Sequence, residues 1–294
     1  MNTNLIASTP APDLHIAFIG GGNMASAIMG GLIRQGTPAN HIQVVEPFPE
    51  QRDKLTQQFG VAVHACPNEA LSRANLVVWA VKPQTFKEAA AQARAYTNTA
   101  LHLSVAAGIR SDSIAQWLGT ERVVRAMPNT PALVGQGMTA LFARPAVTAA
   151  DRLAVEAVIQ PTGQLLWLGD DAGETGPSGQ SGESQLDAVT ALSGSGPAYV
   201  FYFLEAMVAA GVAMGLRPEA AHQLAVGTFV GASALAQAAT EPPDVLRARV
   251  TSKGGTTHAA LAVMENAQLK QHFIQAMDVA RQRAIALGDE FGAA

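Results

Sequence analysis

Cysteine is nearly absent: Cys66 is the only one in 294 residues. That excludes an internal disulfide and fits a reducing, cytoplasmic compartment. Charge is scarce too, with 14% Asp, Glu, Lys and Arg and a formal net charge of -4. This balance gives no electrostatic case for nucleic acid or an anionic membrane as partner. No His and Cys spacing suggests a metal site. No Ser, His and Asp arrangement stands out for acyl transfer, and no acid pair recommends hydrolysis. Lysine is missing between Lys87 and Lys253. Met1 to Asp13 holds neither Lys nor Arg and no sustained apolar core, so it reads as a flexible leader, not a signal peptide.

Apolar residues, by contrast, make up 48% of the chain, enough at this length for a full core and two domains. The longest apolar stretch, Ala198 to Leu216, carries one charge, Glu205. A central acid and the late Gly211 and Gly215 argue against a membrane span. A helix apolar nearly all round also suits a buried subunit interface.

The organising stretch is Ile16-Ala-Phe-Ile-Gly20-Gly-Gly22-Asn-Met-Ala25. A short buried strand, a glycine turn and a helix over 24–33 form the opening of a dinucleotide-binding unit. Gly20 allows the turn, and Gly22 lets the backbone approach a pyrophosphate at the helix start. Further strands are expected over 41–46, 61–64, 76–81, 101–106, 122–127 and 164–168. Helices fall between them at 49–59, 68–74, 85–96, 114–118 and 148–161. Such alternation implies right-handed crossovers and a parallel sheet. The Gly- and Ser-rich run 169–184 reads as an exposed loop or junction. Beyond it only helices are expected: one entered at Gly196-Pro197, then 218–239, 244–250, 257–266 and 269–287.

Glu46 ends the second strand and could accept hydrogen bonds from the adenosine ribose, favouring NAD over a 2′-phosphate. Arg52, one turn into the next helix, could serve a phosphate instead, so the residues leave cofactor preference open. Lys82, in Ala80-Val-Lys-Pro83, leaves the fourth strand on the ligand-facing side. Met127-Pro-Asn-Thr-Pro131 is a loop stiffened by two prolines, with the Asn129 amide on offer. In the helical half, Ser252-Lys-Gly-Gly-Thr-Thr257 sets two glycines before a helix with hydroxyls on both sides. Their backbone N–H groups build an anion nest that suits a carboxylate, with a second phosphate site or plain helix capping as the alternatives. A cofactor cradle, a carboxylate cradle and few proton-transfer groups fit hydride transfer, in which the cofactor carries the hard chemistry.

Five blocks together give a family likeness: Phe18 to Met24, Ala80 to Pro83, Met127 to Gly135, Asp187 to Tyr199, and Thr251 to Thr257. From about His15 to about Gly288 the chain resembles pyrroline-5-carboxylate reductase. The resemblance implies an α/β fold: an N-terminal Rossmann-like dinucleotide-binding domain over 14–182 and an all-α dimerisation and substrate domain over 183–294. It implies reduction of the cyclic imine 1-pyrroline-5-carboxylate to L-proline by NADPH or NADH, the last step of proline biosynthesis. On this likeness Gly20, Gly21, Gly22, Asn23 and Met24 hold the pyrophosphate. Asn68, Ala80, Val81, Lys82 and Pro83 line the cofactor, with Ala107 on the nicotinamide side. Ser252, Gly255, Thr256 and Thr257 hold the substrate carboxylate, and the Thr257 hydroxyl is placed for the ring nitrogen. Glu183 matches a substrate-site acid. The helical domains of two subunits interlock in that family, and larger rings of dimers occur.

Two features depart from the family pattern. Lys253 stands where Pro is usual, and the run Asp171 to Gly182 is longer than expected. Rival readings are another imine or 3-hydroxyacid dehydrogenase of the same architecture, or a non-catalytic nicotinamide sensor. The 3-hydroxyacid enzymes carry a catalytic Lys on an interdomain helix, which this chain lacks, and a sensor has no need of an intact nest.

Overall fold

Ile16 and Phe18 face one hydrophobic cluster while Ala17 and Ile19 face another, so the first strand is covered on both sides. The computed structural model describes residues 14–169 and 182–292. The expected leader, 1–13, and nearly all of the expected loop, 171–182, lie outside them. Among the described residues eight strands form one sheet: β1 Ile16–Ile19, β2 Ile42–Val45, β3 Ala62–His64, β4 Leu76–Trp79, β5 Leu101–Ser104, β6 Val123–Met127, β7 Gly137–Ala143 and β8 Gly163–Trp167. Their order is β3-β2-β1-β4-β5-β6-β7-β8. β1 to β6 run parallel in the doubly wound dinucleotide-binding order.

The sheet is not wholly parallel. β7, absent from the sequence expectation, pairs antiparallel with β6, and β8 runs parallel to β7. Glycine and two alanines dilute the apolar pattern of β7, so the pairing partner and not its own composition makes it a strand.

Helices α1 Asn23–Arg34, α2 Pro49–Phe59 and α5 Ala149–Ile159 bury Met29, Leu55 and Val155 in one cluster. Helices α3 Pro83–Thr97 and α4 Ser111–Leu118 bury Phe86 and Ile114 in the other. The helix expected over 68–74 is a short 3-10 turn, Glu69–Arg73. The later helices are α6 Gln185–Val189, α7 Gly196–Ala213, α8 Pro218–Ala238, α9 Pro243–Arg249, α10 Thr256–Asn266 and α11 Leu269–Gly292.

The chain divides into two compact units. Of the described residues, one takes 14–169, 182–194 and 280–292, and the other is Ser195–Val279. The compact division thus falls at 194/195 and again at 279/280. α6 lies against β7, and Arg110 binds Asp289 on the end of α11 at 2.9 Å. These contacts fasten 183–194 and the end of α11 to the sheet-bearing unit.

The helical unit buries little of itself. Of α7 only Gly211 is buried, and α9 and α10 have no buried residue. Phe201, Tyr202, Val230, Leu235 and Val263 are all more than half exposed. One helical stretch among the described residues, 182–213, is long and apolar enough to cross a membrane.

Candidate active site

Strand order reverses between β1 and β4, and in doubly wound sheets ligands bind outside the strand C-termini at that switch. Gly20 follows β1 there. Its φ of +95° suits glycine, and a Cβ would lie 2.5 Å from the Ala80 carbonyl oxygen. Gly20 N–H donates to Val45 O at 2.8 Å, and Ala80 N–H donates to Ile19 O at 2.8 Å. The turn is thus pinned between its neighbouring strands. Gly22, the N-cap of α1, is exposed, and a Cβ there would meet nothing within 4 Å. No side chain caps α1, so its leading N–H groups and dipole are open to an anion. A pyrophosphate fits such a cradle. Asn23 and Met24 form the first turn of the helix.

Other expected cofactor residues gather at the same strand ends. Lys82 is the N-cap of α3 and is exposed, and Pro83 is its first residue. Val81 lines the glycine turn, with its Cγ1 3.1 Å from the Cβ position of Gly20. Asn68 follows β3 and caps the 3-10 turn, its Oδ1 accepting from Ala70 N–H at 2.9 Å. Ala107 follows β5 and is half-buried. Glu46 lies beside the glycine turn. It is 6% exposed, and its Oε2 accepts from Gly21 N–H at 2.9 Å while Oε1 accepts from Phe48 N–H at 3.0 Å.

Glu183 likewise does not present a free carboxylate. Its Oε1 accepts from Ser111 N–H and from Arg125 Nη1, each at 2.5 Å, and Oε2 accepts from Ser111 Oγ at 2.6 Å. The acid caps the start of α4 and neutralises a guanidinium that is nearly buried. Burial raises the neighbouring Asp187 carboxyl above the ordinary range, opposed by Arg125 and Arg110. Asn129 is also structural: its Oδ1 accepts from Met138 N–H at 2.9 Å, and Nδ2 donates to Ser193 O at 3.3 Å.

The helical unit carries the second cradle. Gly254 adopts φ +75°, and Gly255 N–H donates to Ser252 O at 3.0 Å, closing the turn before α10. Gly255 is the N-cap and no side chain caps the helix. Ser252, Lys253, Thr256 and Thr257 are exposed around it. Backbone donors, hydroxyls and a helix start converge on one spot, which suits a carboxylate. Exposed Lys253 adds positive charge beside it.

Sequence reading missed Gln51, Ser111 and Arg125. Gln51 Nε2 donates to Gly21 O at 2.6 Å. Arg125 had a signal, a lone charge inside an apolar strand, whereas Gln51 and Ser111 had none, because their partners lie far away in sequence.

Comparison with known proteins agrees with this geometry. Residues 183–287 match the family model of pyrroline-5-carboxylate reductase dimerisation, and residues 15–108 match that of NADP oxidoreductase, coenzyme F420-dependent. The apolar stretch 182–213 falls almost wholly inside the first match. A pyrroline-5-carboxylate reductase of Pseudomonas aeruginosa is 42% identical, covering 97% of this chain and 99% of that protein. One from Haemophilus influenzae is 39% identical over 94% and 96%. Among solved structures, a pyrroline-5-carboxylate reductase from Coxiella burnetii is 36% identical with a TM-score of 0.83, covering 94% of this chain and 98% of that one. The Plasmodium falciparum pyrroline carboxylate reductase, solved with NADP bound, is 25% identical with a TM-score of 0.81 over 94% and 98%. With its glycine turn, its carboxylate nest and its nearly full-length similarity to these enzymes, the chain belongs to the pyrroline-5-carboxylate reductase family.

Proposed function

We infer that this protein is an NAD(P)H-dependent oxidoreductase that reduces 1-pyrroline-5-carboxylate to L-proline. The observation that carries the reading is 42% identity to a reductase of that name across 97% of the chain, and both cradles are intact. A nicotinamide held by these residues would supply a hydride for the imine carbon. The chain's own task is to bind and orient. Gly22, Asn23 and Met24 hold the pyrophosphate with the backbone donors of the open α1 start, while Gly20 and Gly21, whose N–H groups go to Val45 O and Glu46, shape the turn beneath it. Asn68, Ala80, Val81, Lys82, Pro83 and Ala107 line the rest of the cofactor.

Ser252 and Thr256 hold the substrate carboxylate through their hydroxyls and the open N–H groups of the α10 start, which Gly255 sets in place by closing its own N–H on Ser252 O. The Thr257 hydroxyl hydrogen-bonds the ring nitrogen and keeps the imine in register. A protonated imine is already an electrophile, so orientation contributes most of the acceleration. Well-fixed geometry can account for roughly 7–11 kcal/mol of a barrier. Glu183 enters as a positioning group for α4 and not as a substrate ligand, because Ser111 and Arg125 take both its oxygens.

The exposed apolar helices of the second unit support a homodimer with interlocked helical domains, open to further assembly into a ring of dimers. The single cysteine and weak net charge support a cytoplasmic setting without nucleic-acid or membrane partners.

The test compares 1-pyrroline-5-carboxylate with 1-pyrroline, which lacks the carboxylate. The nest should favour the acid in kcat/KM by about a hundredfold, as expected for a few charge-assisted hydrogen bonds. Equal kcat/KM for the two would overturn the role of the nest.

A further inference from the structure

An acid at the end of the second strand of a dinucleotide-binding unit ordinarily reads the adenosine ribose and disfavours a 2′-phosphate. Glu46 stands at that position, yet its carboxylate turns inward. One oxygen accepts from Gly21 N–H, in the middle of the glycine turn, and the other from Phe48 N–H, in the turn before α2. Only 6% of the residue is exposed. A second tie runs parallel to the first, since Gln51 of α2 donates to the Gly21 carbonyl at 2.6 Å. Arg52 Nη1 donates to the Glu46 and Pro47 carbonyls at 3.1 and 2.7 Å. The Arg52 side chain is thereby fastened to the backbone of the same turn.

We propose that Glu46 is a positioning residue that locks the glycine turn to the β2–α2 turn, and that it does not discriminate NADH from NADPH. The inference rests on the glycine turn being the pyrophosphate site. Freed from the strap, Gly21 N–H has no fixed partner among the described residues, and the cradle loosens for both cofactors equally. The 2′ position takes no part in that loss. Charge discrimination at this turn is left to the cation, Arg52, and the open start of α2.

The experiment measures dissociation constants of NADH and NADPH on the purified full chain by quenching of protein fluorescence, without substrate, for wild type and Glu46→Gln. Binding of NADPH to wild type establishes the cofactor reading itself, and its absence would sink that reading instead. Glu46→Gln should weaken both cofactors together by about tenfold, the loss expected from one charge-assisted hydrogen bond. The NADH/NADPH ratio should stay within twofold of wild type. A ratio moved several-fold toward NADPH would overturn the proposal and put the carboxylate on the ribose. Unchanged constants with a lowered Tm would overturn it too, leaving Glu46 a merely structural acid. If Glu46→Gln does not fold, Gln51→Ala reads the parallel strap from a half-exposed position. It should weaken both cofactors equally by a few-fold, and no change would count against the proposal.

Discussion

Thr257 and His102 illustrate two kinds of polar residue, one exposed at a helix start and the other sealed in the sheet. Thr257 lies in the first turn of α10 with its hydroxyl on the surface. Thr257→Val keeps the shape and removes the hydroxyl that accepts from the iminium N–H. Turnover should fall by about 10- to 100-fold, in the range of one lost transition-state hydrogen bond, while the dissociation constant for NADPH stays near wild type. Unchanged turnover would remove Thr257 from the chemistry. His102, on β5, accepts from Trp79 Nε1 at 3.0 Å. Burial lowers its pKa to about 4 from 6.5, with the Thr97 backbone pulling upward and Arg122 pushing downward. The unfolded chain therefore binds a proton between pH 6.5 and 4 that the folded chain refuses. The stability contribution is whole above pH 6.5 and is lost as pH falls toward 4, by up to about 3 kcal/mol. His102→Gln keeps the acceptor without the titration. Urea midpoints at pH 7 and pH 4.5 should fall less in this variant than in wild type, and equal falls would contradict the assignment.

At the scale of elements, the strand–turn–helix opening was legible because its logic is local. Four apolar residues, a glycine pair with a third at the N-cap, and a helix follow one another without a gap. Gly20→Ala tests that element: its φ of +95° and the 2.5 Å approach to the Ala80 carbonyl leave no room for a methyl. NADPH affinity should fall at least tenfold with a Tm drop of several degrees, as a strained backbone costs about 1–3 kcal/mol. Unaltered affinity would show that the turn does not hold the cofactor. The missed elements were decided elsewhere in the chain. β7 takes its strand character from β6 and β8, and the helix expected over 68–74 tightened into a 3-10 turn capped by Asn68. The destinations of Glu46 and Glu183 were equally hidden. Sequence shows that a carboxylate ends a strand or precedes a helix, but not that a backbone N–H 25 residues back, or Ser111 72 residues back, will claim it.

On the scale of the whole molecule, the two units are built to different standards. The sheet-bearing unit covers both sheet faces with helices and buries Phe18, Trp79 and Phe86 completely. The helical unit leaves large apolar residues of α7, α8 and α10 facing outward, more than a monomer ordinarily exposes. Its match to a dimerisation family over 183–287 accounts for that surface. Light scattering should give a particle of at least twice the 30.5 kDa chain mass at micromolar concentration. A stable monomer would contradict the assembly.

The most direct measurement of the central claim is the product itself. The protein is mixed with synthetic 1-pyrroline-5-carboxylate and NADPH, and separately NADH, and oxidation of the nucleotide is followed alongside chromatography of the amino acid formed. The account predicts that L-proline appears in a one-to-one ratio with nucleotide consumed. A correctly assembled oligomer that consumes neither nucleotide, or consumes it without making proline, would contradict the assignment.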